Sequence, residues 1–170
     1  MNSGSELVLM DRERISRSLN RMAHEIAEHN VEDTPIDLFG INDRGYVVAV
    51  ALENILTPMF NDKVRLFQLP LKKKNTHSDL EAISLPDKSY PVIVDDVIFS
   101  GKTMFEALNI ISSYMNPSEI HTAVLVDRGH RKFPIKAEFY GMELPTKLDE
   151  HVSVVVESQQ IESVKLTKSA

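Results

Sequence analysis

Two short runs, PVIV at 91–94 and AVLV at 123–126, are apolar at every residue. Successive side chains of a strand point to opposite faces, so a strand without a polar face must be covered on both sides. Such strands call for a mostly parallel sheet with helices on both faces, an α/β architecture. The segments between them fit. DRERISRSLNRMAHEIAEHN places Ile15, Leu19, Met22 and Ile26 on one helical face, with Asp11 as the N-cap. IDLFGI then reads as a strand, and YVVAVALENIL as a helix running up to Pro58. VRLFQLPL alternates like a strand, PVIVDD is a buried strand, TMFEALNIISSYM is helical, and EIHTAVLVD is a further strand. After the first helix the expected order is strand, helix, strand, strand, helix, strand.

Ligands of such sheets gather at the carboxyl ends of the strands. Three polar turns fall there: NDRG at 42–45, DDVIFSGKT at 95–103, and DRGHRKF at 127–133. SGKT resembles the end of a nucleotide-triphosphate P-loop, but that motif needs a glycine five residues before Gly101, where this chain has Asp96. What remains is a turn whose N–H groups and hydroxyls suit a phosphate at a helix N-terminus. Asp95 and Asp96 would repel that phosphate. Ionised carboxylates only accept hydrogen bonds, which suits the two donors of a ribose 2',3'-diol. One stretch then holds both ends of a ribose 5-phosphate. A phosphorylated receiver domain has similar topology, but its acid pair would lie near the N-terminus.

Composition narrows the chemistry. With 170 residues, 42% of them hydrophobic, the chain fits one domain over 1–170. It has no cysteine, which removes disulfides and thiolate chemistry. No apolar run approaches the roughly 20 residues of a membrane span, and MNSGSELVLMDRER lacks a secretion signal, so a cytoplasmic protein without a membrane partner is expected. The net charge of -6 disfavours RNA as a partner.

VIVDDVIFSGKT resembles the phosphoribosyl-pyrophosphate (PRPP) signature of type I phosphoribosyltransferases. AVLVDRGHRKFPIKAEFYGMELPT is similar to a segment of the PyrR family, pyrimidine-operon attenuators that are also uracil phosphoribosyltransferases. That family's V-D-R-G-H-R-x-x-P-I-x-A, followed by a Gly and P-T, is present from Val126 to Thr146. LNRMAHEIAEHN and GINDRG resemble its first helix and its pyrophosphate-binding turn.

The resemblance implies a type I phosphoribosyltransferase fold with a small hood formed around 127–156, and transfer of phosphoribose from PRPP to a nucleobase, uracil favoured. It implies that Asp95, Asp96, Val97, Ile98, Phe99, Ser100, Gly101, Lys102 and Thr103 bind PRPP, with Asp95, Asp96 and Arg44 the catalytic group. Asn42, Asp43, Arg44 and Gly45 would take pyrophosphate. Asp127, Arg128, Gly129, His130 and Arg131 would form the base side. Magnesium (Mg) would arrive with PRPP and its waters near Asp95 and Asp96, without a dedicated protein cage. The alternative is a PyrR-like regulatory RNA-binding protein with weak or vestigial catalysis.

One region departs from the family. Before the signature strand the family carries a longer excursion with a Tyr-Arg-Asp run, where this chain has LPLKKKNTHSDLEAISLPDKS. Residues 72–89 read as either a working lid or a partly ordered hairpin; Lys72, Lys73, Lys74 and His77 keep positive charge there, as a solvated face or, in a lid, as pyrophosphate contacts that predict PRPP binding with slower turnover. His24, His29 and His121 read as structural. The apolar helix YVVAVALENILTPMF and the habit of related enzymes predict a homodimer or a multiple of it.

Overall fold

The computed structural model describes residues 5–72 and 88–168. Its elements are β1 (Glu6–Met10), α1 (Arg12–His29), β2 (Ile36–Ile41), α2 (Asn42–Phe60), β3 (Val64–Leu69), β4 (Tyr90–Ile98), α3 (Lys102–Met115), β5 (His121–Asp127), β6 (Phe139–Glu143), β7 (Glu150–Glu157) and β8 (Gln160–Lys168). Five strands form a parallel sheet in the order β3-β2-β4-β5-β6. The chain leaves β2 for β3 on one side and continues from β4 to β5 and β6 on the other. Right-handed crossovers running in opposite directions place their helices on opposite faces. The two cores show this. Val92, Val94, Ala123 and Leu125 pack with α1 and α2, whereas Ile93 and Val124 pack with Met104, Ala107 and Ile111 of α3. Val92, Ile93 and Val94 are all 0% exposed, which is why none of them is polar.

The direction of winding reverses between β2 and β4, and a crevice opens at such a point outside the strands' carboxyl ends. Asp37, 0% exposed, is met by Arg65 at 2.7 and 2.8 Å, which fixes β2 against β3 at the other end of the strands.

Several boundaries differ from the expectation. NDRG is the first turn of α2, not a separate loop, and α2 runs through Pro58 to Phe60. A proline in the last turn costs one hydrogen bond and leaves the turns before it intact. β4 continues past the acid pair to Ile98, because its pairing with β5 holds as far as Ile98↔Asp127. A second, antiparallel sheet, β1-β8-β7, adds Glu6–Met10 and Gln160–Lys168 to the segment 127–156 expected for a hood. Among the described residues no helix is long and apolar enough to cross a membrane.

Candidate active site

Two helices begin at the crevice, and neither N-cap residue closes its helix start with a side chain; at α3 the Lys102 N–H donates to Ser100 Oγ at 3.3 Å. α2 follows β2 directly, with Ile41 in the N-cap position, and α3 follows β4 through Gly101. The first N–H groups of a helix have no partner within it, so each uncapped end presents donors and a positive dipole to an anion. Strands β2 and β4 are neighbours, which sets the two helix starts side by side. Gly45 makes the close approach of α2 possible: a Cβ there would stand 2.6 Å from the Val94 carbonyl oxygen and 3.1 Å from Asp95 Cα. Gly101 occupies the left-handed region at φ 84°, where the strand turns into α3.

Between these ends lie Asp95 and Asp96, both half-buried. The Asp96 N–H donates to Asp95 Oδ1 at 2.8 Å, and the Val97 N–H to Asp96 Oδ1 at 2.8 Å. Burial, and then the neighbouring Asp96 carboxylate, hold Asp95 well above the usual carboxylate range. The pair is therefore crowded acceptors that gain from donors or positive charge.

The third turn closes the crevice at β5. Asp127 accepts from the Gly129 N–H at 2.9 Å and from Arg131 Nη2 at 2.7 Å. Arg128 is buried, with its guanidinium 4.4 Å from the centre of the Phe99 ring and its Nε donating to Thr146 Oγ1 at 3.1 Å. Burial lowers its pKa from the ordinary arginine value. His130 tilts against Phe99 at 5.4 Å between ring centres and hydrogen-bonds the Thr146 carbonyl. Phe99 thus carries a cation on one contact and an imidazole on another, and the three form an aromatic wall beside the start of α3.

Residues 9–161 match the family described as "Phosphoribosyl transferase domain". The chain belongs to the phosphoribosyltransferases. Within them it falls with the PyrR family. Bifunctional protein PyrR of Herpetosiphon aurantiacus is 39% identical over 155 residues, 86% of this chain and 87% of the relative. The protein of the same name from Staphylococcus carnosus is 36% identical over 163 residues, covering 89% and 93% of the two chains. In fold, the chain is similar to HGPRT-ase from Leishmania tarentolae, solved in complex with GMP, with a TM-score of 0.78 and 18% identity over 97% of this chain and 98% of that one. The chain is accordingly a type I, PRPP-dependent phosphoribosyltransferase.

In this phosphoribosyltransferase the three turns read from the sequence meet at one end of the sheet. Two of their side chains serve the frame. Arg44 donates to the Val154 carbonyl of β7 and so ties α2 to the second sheet. Four of the five N–H directions of Arg131 meet protein acceptors. Lys102 and Thr103 are exposed at the start of α3. Gln68 went unnoticed in the sequence: its Nε2 donates to the Asn42 carbonyl at 3.1 Å and to Asp43 Oδ1 at 3.0 Å. A lone glutamine at a strand end carries no local signal, whereas Thr146 stood in the matched P-T pair. The Lys72 N–H lies 3.4 Å from Asn42 Oδ1, and Lys73, Lys74 and His77 lie outside the described residues. A cavity of about 940 Å³ sits at the opposite end of the sheet, lined by His29, Lys88, Tyr90, Asn116 and Glu119 among others. It holds none of the paired acids or uncapped helix starts.

Proposed function

We propose that this phosphoribosyltransferase moves phosphoribose from PRPP to a pyrimidine base, uracil, and releases pyrophosphate. The observation that carries the reading is the pair of uncapped helix N-termini flanking Asp95 and Asp96. Two anion sites separated by two acceptors complement a molecule with a phosphate at one end, a pyrophosphate at the other and a diol between. The start of α3, with residues 99–103, takes the 5'-phosphate. The start of α2, residues 42–45, takes the pyrophosphate. Asp95 and Asp96 accept from the ribose hydroxyls. The bond from the anomeric carbon to pyrophosphate breaks, the bond to the base nitrogen forms, and the base loses its N–H proton. Because the sugar passes through an oxocarbenium-like state, the protein's work is positioning and charge stabilisation, with no covalent nucleophile.

The donor set fits magnesium carried by the substrate. Two crowded carboxylates offer hard oxygen ligands, and among the described residues no group of three or more His, Asp or Glu gathers into a cage. When bound, the ion supplies positive charge to the departing pyrophosphate. Uracil is favoured by the PyrR-like segment from Val126 to Thr146, which sets Arg128 and His130 against the Phe99 ring of the second turn.

PRPP-dependent pyrophosphate release measured against uracil, hypoxanthine, guanine and xanthine tests the reading. Uracil is expected to give the highest kcat/KM, and preference for a purine would overturn the choice of base. The word bifunctional in the relatives' names favours a second reading, a regulatory RNA binder with residual catalysis. It predicts salt-dependent retardation of RNA beside weak turnover.

A further inference from the structure

Arg131 carries a pattern that the proposed reaction does not use. Its Nε donates to the Ile135 carbonyl at 2.8 Å, its Nη1 to the carbonyls of Phe99 at 2.8 Å and Gly129 at 3.2 Å, and its Nη2 to Asp127 at 2.7 Å. The Phe99 contact is one of a series. The Ile98 carbonyl accepts from the Arg128 N–H at 3.0 Å, and the Ser100 carbonyl accepts from the N–H groups of Lys132 at 2.9 Å and Phe133 at 3.0 Å. Three consecutive carbonyls, Ile98, Phe99 and Ser100, are therefore all drawn toward the third turn, and only the middle one is held by a side chain. A trans peptide is planar, with its N–H opposite its C=O. Fixing the Phe99 carbonyl on one side fixes the Ser100 N–H on the other, away from the third turn.

We infer that Arg131 is a positioning residue that aims the Ser100 N–H into the 5'-phosphate site while holding the base-side turn in register with it. The inference rests on the proposed reading of residues 99–103 as the 5'-phosphate site. Its role differs from that of a base contact, because four of its five N–H directions are taken by protein acceptors and it acts through one peptide plane. A lysine cannot replace it, since one ammonium does not span four acceptors spread over two turns.

Calorimetric titration of ribose 5-phosphate and, separately, of pyrophosphate tests this in the full chain and in Arg131→Gln and Arg131→Lys, with circular dichroism confirming that each is folded. Both variants should bind ribose 5-phosphate about tenfold or more weakly, the loss expected for one charge-assisted hydrogen bond. Pyrophosphate, held at the start of α2, should bind as in the parent. Arg131→Lys keeps the charge and most of the stem, and it carries the test if Arg131→Gln does not fold. Unchanged ribose 5-phosphate affinity in a folded variant, or equal loss for both ligands, would overturn the inference while the parent's binding leaves the proposed function standing. A parent that binds no ribose 5-phosphate would remove both.

Discussion

Asp95 is a carboxylate whose burial beside Asp96 costs stability. Its carboxylate is held above its ordinary range by burial and by Asp96, so over that interval the folded protein binds more protons than the unfolded chain. Stability therefore falls as pH rises from the ordinary carboxylate range to the raised value, and the penalty stays constant above it. Asp95→Asn removes the charge and keeps the shape. The variant should melt at a higher temperature than the parent at neutral pH and lose that slope, read from melting curves between about pH 4 and pH 8. A variant less stable than the parent at neutral pH would show that Asp95 is a structural anchor. At this scale the acid pair was legible, because two adjacent carboxylates interrupting an apolar run need donors or positive charge to face. Gln68 and Val154 were not. Their partners, Asn42 and Arg44, lie far away in sequence, and no local pattern announces such contacts.

Among the elements, α2 depends on its distance from β4. In Gly45→Ala the new methyl group would start 2.6 Å from the Val94 carbonyl oxygen, so the helix start must move away from Asp95. Overpacking of this kind costs about 1–3 kcal/mol, measurable by urea unfolding. Product inhibition by pyrophosphate should weaken with it, and unchanged inhibition would detach the start of α2 from pyrophosphate binding. The segment after β3 carries the next prediction. Changing Lys72, Lys73 and Lys74 together to alanine should lower turnover by about tenfold or more and PRPP affinity far less, as for contacts made only in the transition state. Turnover at the parent rate would make these lysines a solvated face. Parallel strands and helices were legible because burial on both faces forces an apolar run. The β7–β8 hairpin was not, since its turn places Ser158 and Gln159 at φ 48° and 61° without the Asn or Gly that usually marks such a turn.

For the whole molecule, α2 presents Tyr46, Val47 and Val50 half-buried and Met59 38% exposed beyond the face it packs on the sheet. A second copy would cover that surface, and sedimentation across micromolar concentrations should give a dimer or a multiple of it. A monomeric mass throughout that range would count against this. The parallel sheet and its crevice followed from local apolar runs. The second sheet joins β1 to β8 across nearly the full chain, with Glu6 opposite Thr167, and pairing at that separation leaves no local signature.

Asp95 and Asp96, set between two uncapped helix starts, are proposed to hold the sugar of PRPP, and replacing both with asparagine and titrating PRPP by calorimetry, in magnesium, examines this. A folded double variant should lose about tenfold or more in PRPP affinity, while inorganic pyrophosphate still binds at the start of α2. PRPP affinity equal to that of the parent would show that the acid pair does not hold the sugar.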